Sequence, residues 1–407
     1  MENKNTKPFY NTTIPSDWEV KRFEDVADID KESLNGKTAN DYEFEYISLS
    51  DVDSNDLVFV TTKQVFANAP SRARRIVKKG DVLMSTVRPY LQGFLFIKND
   101  VQDLIASTGF AVITSKKCNN EYLYQYLFSS GIGRQFYRLL VGSNYPAINS
   151  SDVRKLKIPL PPLPEQRAIA SLLSTWDTAI NKHNQLIAQK ELRKKWLMQN
   201  LLTGKKRLKG FSGEWKILCL KDVLIPVSRP VDKPTDNFLA MGIRSHGKGT
   251  FLKPNFEPGK IAMETLYVVR ENDLIVNITF AWEGAIAIVK PEDDGALVSH
   301  RFPTFNFNPE MGVIDYFRHL IIQPRFKYLL VLISPGGAGR NRVLSKKDFL
   351  KLEVTIPKVG EQTAIAKVLQ AADKEIALLK VKTEKLKEQK KGLMQVLLTG
   401  RKRLKVS

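Results

Sequence analysis

A chain of 407 residues with 43% apolar side chains is long enough for two or more folding units and too apolar for a disordered segment. Its formal net charge of +20 favours an acidic partner, nucleic acid first among them. Two distant cysteines, Cys118 and Cys219, give neither a disulfide framework nor metal-ligand spacing, and no window holds the roughly 18 consecutive apolar residues of a membrane span, so a cytoplasmic protein is expected.

In chain order, residues 1–14 form a polar N-terminal extension without an apolar signal core. Residues 15–151 form a first block of mixed strand and helix. Short strands are expected at 46–49, 81–84 and 110–113, and a helix at 122–127. Residues 152–210 are helical. Residues 211–347 form a second mixed block, with a helix at 316–322, and residues 348–407 are helical again. Each block has the size of an ordinary domain.

An internal repeat ties these segments together. Asp152 onward aligns without gaps on Asp348 onward, a shift of 196, with about 25 identities over 58 positions. Glu165-Gln166 matches Glu361-Gln362, and LMQNLLTGKKRLK matches LMQVLLTGRKRLK. The blocks repeat more faintly: Asp17-Trp18 pairs with Glu214-Trp215, and Gly80-Asp81-Val82-Leu83 with Asn272-Asp273-Leu274-Ile275. The frame stayed alike while the blocks diverged, which suggests two readers of different things.

Pro161, Pro162 and Pro164 precede the first long helix and Pro357 the second, with Glu165 and Glu361 in the first turns and Gly204 and Gly400 as stops. Helices of about 38 residues would be about 57 Å long. Apolar residues recur at alternating three and four spacing: Ile169, Leu172, Trp176, Ile180, Ile187, Leu197 and Leu201 in the first helix, and Ile365, Val368, Ile376, Leu379, Leu386, Leu393 and Leu397 in the second. A stripe of that length is a coiled-coil seam. The simplest partner for each helix is the other, antiparallel; a second chain is the alternative. The fold class is therefore α+β, with two mixed α/β domains joined by two long helices in an internal repeat.

The charge sits on the helical segments. Residues 152–210 carry 13 basic against 4 acidic side chains and residues 346–407 carry 16 against 7, while residues 1–151 balance at 18 each. Solvated lysine faces explain this, or else a basic ridge toward DNA phosphates or acidic partner subunits, with Lys205, Lys206, Arg207, Arg401, Lys402 and Arg403 as its ends.

Base reading needs a few placed donors rather than net charge. The first block offers Arg72, Arg74 and Arg75, then Ser85, Thr86, Arg88 and Tyr90, then Ser143, Asn144 and Tyr145. The second offers Arg244, His246 and Lys248, then Asn277, Thr279 and Trp282, then Arg340, Asn341 and Arg342. No catalytic constellation appears. Residues 242–248, GIRSHGK, start like a phosphate loop but continue with Gly249 and Pro254. No metal-ligand cluster and no methyltransferase motif are present in the sequence, so the chain reads as non-catalytic.

With these motifs in hand, the chain resembles the DNA-specificity subunits of Type I restriction–modification enzymes over nearly its whole length. The most specific parts are IPLPPLPEQRAIASLLSTWDTAI, LLTGKKRL and the second copy GEQTAIAKVLQAADKEI with LLTGRKRL. Val359-Gly360, where the first copy has Leu163-Pro164, is a departure that loosens the second helix start. The resemblance implies that each block is a target-recognition domain reading one half of a bipartite DNA site in the major groove. It implies a pseudo-twofold helix pair that fixes the gap, docks two methyltransferase subunits and joins restriction subunits with translocase and nuclease activity. S-adenosylmethionine, ATP and Mg2+ would be used by those partners in a bacterial or archaeal cytoplasm, with no cofactor on this chain and no membrane involved. The alternatives are a self-sufficient methyltransferase or nuclease, and a coiled-coil scaffold that never touches DNA.

Overall fold

The computed structural model describes residues 5–10, 12–53, 58–142, 144–334, 336 and 342–404. The chain divides into two compact units, one of Met1–Ile187 with Leu379–Ser407 and one of Ala188–Leu378. Four helices organise them: α1 (Asn120–Tyr126), α2 (Leu163–Leu201), α3 (Ile314–Leu320) and α4 (Val359–Leu397). All four were expected, within two residues or so at their ends. Pro164 stands inside the first turn of α2 rather than before it. A first turn tolerates proline because its N–H would have no helical partner there. Gly392 does not interrupt α4.

The first unit is built on an antiparallel sheet of β1 (Ala27–Ile29), β2 (Val82–Ser85), β3 (Phe94–Phe96) and β4 (Phe110–Ser115), in the order β3-β2-β4-β1. The second unit has β5 (Leu224–Val227), β6 (Leu274–Val276), β7 (Ile286–Ile288) and β8 (Thr304–Phe307), in the order β7-β6-β8-β5. The order is the same in both. A second sheet recurs as well: Thr62–Val65, Glu43–Ile47, Leu104–Ser107 and Ala73–Val77 in the first unit. Its counterpart is Thr250–Phe256, Phe238–Ile243, Leu297–Val298 and Thr265–Val268, with Pro230–Asp232 added at one edge. Each of these sheets has one parallel pairing, at the corresponding place.

The alternation of strand side chains explains the layering. Val82 and Met84 enter one core while Leu83 enters another, and Leu274 and Val276 part from Ile275 in the same way. β2 and β6 are therefore buried on both faces, which is why they read as continuous apolar runs. The N-terminal extension carries a hairpin, Thr6–Phe9 with Thr12–Pro15, whose Phe9 and Ile14 are buried.

The apolar stripe on the long helices faces inward throughout. Ile169, Ile180, Leu201, Ile365, Ile376 and Leu397 are buried, and Leu172, Trp176, Ile187, Leu197, Val368, Leu379, Leu386 and Leu393 are half-buried. Its ends merge with the block cores. In the first unit Ile169, Ala170 and Leu173 share one core with Met394 and Leu397. In the second unit Leu201 and Leu202 share one with Ile365, Ala366 and Leu369.

Charged pairs repeat with the same shift of 196. Asp177 accepts from Lys390 at 2.6 Å in the first unit, and Lys194 bonds Asp373 in the second. Glu165 takes both prongs of Arg403 at 2.6 Å, and Glu361 takes Arg207 at 2.5 and 2.6 Å. In each unit the start of one long helix thus meets the tail of the other copy. Both carboxylates are nearly sealed from water, at 2% and 4% side-chain exposure, and the hydrogen-bonded guanidinium offsets the cost of burying each charge. The Glu165 carboxylate in turn holds the Arg403 guanidinium above its ordinary range.

The neighbouring glutamines fasten the helix starts to the blocks. Gln166 accepts from the Asn119 amide at 2.9 Å and donates to the Pro161 carbonyl at 2.8 Å. Gln362 accepts from the Val313 amide at 2.8 Å and donates to Pro357 and Met311 at 2.9 Å each. Asn119 and Val313 cap α1 and α3. Gln362→Leu strips buried backbone groups of their partner, each worth about 1–3 kcal/mol. Chemical denaturation should show a loss of about 3 kcal/mol for that variant, against less than about 0.5 kcal/mol for the exposed Gln389→Leu.

Candidate nucleic-acid interface

The same loop leaves the same strand in both units. In the first, β2 is preceded by Gly80 in the left-handed region and by the buried Asp81. Asp81 accepts from the Lys78 amide at 2.8 Å and from Thr114 at 2.7 Å, and burial pushes its carboxyl up. In the second, Asn272 takes the left-handed position, and Asp273 accepts from the Arg270 amide at 2.9 Å and from an Arg229 fork at 2.6 and 3.1 Å. These carboxylates fix the strand from which the loop departs.

The first loop spans residues 86–93. Thr86 donates to the Gly109 carbonyl at 2.8 Å and Ser85 to the Val87 carbonyl at 2.7 Å, so these two buried hydroxyls shape the loop from within. Arg88 is held in the left-handed region, φ 49°, a conformation that costs a non-glycine residue on the order of 1 kcal/mol and that concentrates at working sites. Its amide bonds Pro146, its guanidinium bonds the Asn144 carbonyl at 2.8 Å, and the group lies 4.5 Å from the Tyr145 ring centre. Tyr145 is 71% exposed. Tyr90 stacks on Tyr137 at 6.3 Å. The fold thus gathers Arg88, Tyr90, Asn144 and Tyr145, which the sequence had offered as separate clusters. Tyr137, exposed on a helix face, gave no sequence signal.

The arginines of residues 72–75 divide. Arg72 is exposed in the turn before Ala73–Val77. Arg74 caps the Ala73 carbonyl at 2.8 Å and lies over Phe66. Arg75 is committed inside the unit, to Asp30 at 3.1 Å and Ser33 at 3.2 Å. It has no free fork for a base.

The second loop spans residues 277–285. The Asn277 side chain accepts from the Thr279 amide at 3.0 Å, and the nearly buried Thr279 accepts from Arg301 at 3.3 Å. Trp282 lies under the Arg342 guanidinium at 5.3 Å. Two backbone bonds, His246 to Glu283 at 2.8 Å and Gly247 to Gly284 at 2.9 Å, bring the 244–249 turn against this loop. His246 meets Lys327 at 3.2 Å, Arg244 bonds the Thr250 carbonyl at 2.7 Å, and Lys248 is exposed. Arg301 and Lys327 join the site unannounced by any motif. Ser143, Arg340 and Asn341 lie outside the described residues. Tyr90 and Trp282 sit in matching single turns, Pro89–Leu91 and Ala281–Glu283, between matching strands.

The basic ridge is narrower than the charge count implies. Arg207 and Arg403 are spent on buried carboxylates, and Lys206 sits 4.7 Å over the Trp196 ring. Lys205, Arg401 and Lys402 remain exposed. Among the described residues no cluster suited to a metal ion occurs, and no helix is long and apolar enough to cross a membrane.

Known proteins share this arrangement. A family model for the Type I restriction modification DNA specificity domain matches residues 15–191 and again 213–388. The chain is 24% identical to a putative type I restriction enzyme MjaX specificity subunit of Methanocaldococcus jannaschii, over 96% of this chain and 95% of that one. It is 25% identical to the MjaVIII specificity subunit of the same organism, over 99% and 97%. Among solved structures, a chain from work on complex assembly and conformational transition of the type I R-M system matches with a TM-score of 0.61 at 21% identity, over 95% of this chain and 99% of that one. The S subunit from M. genitalium matches with a TM-score of 0.55 at 15% identity, over 98% and 99%. These last two likenesses show a common fold.

Arg88→Ala should cost about 1–3 kcal/mol of discrimination between preferred and altered DNA. Arg75→Ala should lower stability and leave discrimination unchanged. Anisotropy titrations on DNA of both kinds, paired with thermal melts, separate the two effects.

Proposed function

The chain belongs to the family of Type I restriction–modification DNA-specificity subunits, and from that premise we propose that its two units read the two halves of a split DNA sequence. A specificity subunit is the DNA-recognition component of its enzyme and is not catalytic. One observation carries the bipartite reading: a loop in the same topological place in each unit presents different side chains, Arg88 and Tyr90 in one, Asn277 and Trp282 in the other. One scaffold with two unlike loops reads two unlike half-sites, each through base edges in the major groove.

In this reading α2 and α4 pair as an antiparallel coiled coil whose length sets the gap between the half-sites. Support comes from the reciprocal pairs, in which rising numbers on α2 meet falling numbers on α4, as Lys190–Glu375 and Lys194–Asp373 do. The helices also dock two methyltransferase subunits, for which the exposed lysines and leucines of α2 and α4, Leu192 and Leu378 among them, offer a surface. S-adenosylmethionine belongs to those partners, which extrude and methylate the target base. ATP and Mg2+ belong to the restriction subunits.

Exchanging residues 15–151 for another block should change one half-site and leave the other half and the gap intact, as read by methylome sequencing. Inserting four residues after Gln189 should lengthen the gap and leave both half-sites unchanged. Altered half-sites with an unaltered gap would sink the ruler role of the helices.

A further inference from the structure

We infer that the second unit seats one unpaired nucleobase of its DNA in an aromatic cleft beside the recognition loop, an inference that rests on the DNA-reading role proposed above. The cleft lies on the five-stranded sheet, is open, and has a volume of about 450 Å³. Five phenylalanines line it, together with aliphatic side chains such as Met241, Ile261 and Leu266. Phe238 and Phe256 stand 5.6 Å apart between ring centres, and Phe251, Phe280 and Phe302 are the other three rings, all five only half-buried. Five partly wetted rings around an opening are what a ligand groove presents, and a sealed core does not. The first unit closes the corresponding face itself. There Phe44 and Tyr46 are buried in one cluster with Leu34, and Tyr42 and Phe66 pack against it.

The charge at the rim selects the occupant. The exposed Lys253 ammonium lies 5.6 Å from the Phe251 ring centre and 5.7 Å from that of Phe256, and the Arg244 guanidinium lies 5.0 Å from Phe251. An aromatic floor flanked by cations suits a base stacked flat with its phosphate at the rim. An apolar side chain would have no use for the two cations. The polar edge fits as well. Asn277 and Glu283 line the same cleft and belong to the recognition loop, so the cleft continues directly from it. Glu283 takes the Ser245 hydroxyl on one oxygen, at 2.5 Å. Its other oxygen can accept an exocyclic amino group. Gly242 keeps the floor flat: a Cβ there would meet the Phe251 ring at 2.5 Å.

The test uses the full chain loaded with its methyltransferase subunits. Duplexes carry a single unpaired nucleotide stepped through the second half-site, with 5-iodouracil as the unpaired base in a parallel set. At one position the unpaired duplex should bind about tenfold tighter than the paired one, and light should crosslink the iodouracil to the 250–263 segment. Phe251→Ala should reduce the preference to near parity. Lys253→Gln, at an exposed site that leaves the floor intact, should weaken it several-fold. Equal binding of paired and unpaired duplexes at every position overturns the inference and leaves the half-site reading standing. A preference that persists in both variants, or crosslinks confined to residues 86–93, also overturns it. Failure to bind either duplex removes the recognition role and the cleft with it.

Discussion

The carboxylate that opens each long helix is sealed from water with a cation in hydrogen-bond reach, and in both helices that cation comes from the other copy of the repeat. Glu361 is answered by Arg207 and Glu165 by Arg403. Each helix start can therefore be satisfied only where the tail of the other copy arrives. The tails are held there by stacking as well: Arg403 lies 5.7 Å over Trp18, and Arg207 lies 5.7 Å over Trp215. The Glu-Gln motif thus does two jobs with adjacent residues. The glutamate selects the partner tail, and the glutamine ties the helix to the short helix of its own block.

That division of labour explains how the blocks could drift in sequence and keep their topology. The two glutamines grip their blocks by the main chain rather than by particular side chains of the block. Gln166 bonds a backbone amide and a backbone carbonyl, and Gln362 bonds three backbone groups. Backbone groups survive substitution. The buried Asp81 and Asp273 likewise spend part of their bonding on main-chain amides of the turn that precedes β2 and β6. The loops beyond those strands were then free to change, and they did, to the point that one unit stacks Tyr90 on Tyr137 while the other tucks Trp282 beneath Arg342.

Much of the frame was legible in the sequence, because helix periodicity and a gapless repeat are local signals. The stripe from Ile169 to Leu201 and its copy from Ile365 to Leu397 could be read from spacing alone. The partners of Glu165 and Glu361 could not, since nothing local links residues that are 238 or 154 apart in the chain. At the loops the sequence offered residue types and the fold decided their use. Ser85, Thr86 and Arg75 looked like free donors but are absorbed by Val87, Gly109 and Asp30. The hairpin at Thr6–Pro15 hid in a polar stretch because, among its described residues, only Phe9, Ile14 and Pro15 bury there. The phenylalanine cleft was invisible for the opposite reason: its rings look like ordinary core residues until the sheet leaves one face uncovered.

The glycine that ends the second repeat has a consequence for inheritance. Gly400 adopts φ 67°, and a Cβ there would meet Pro15 at 2.3 Å and Trp18 at 3.1 Å. The tail of the second repeat is therefore moulded to the first residues of the first block. A foreign block spliced in by recombination inherits a working mount if it begins with a compact proline and an indole. Lineages that shuffle such blocks would be filtered first at this junction, before any question of which bases the newcomer prefers.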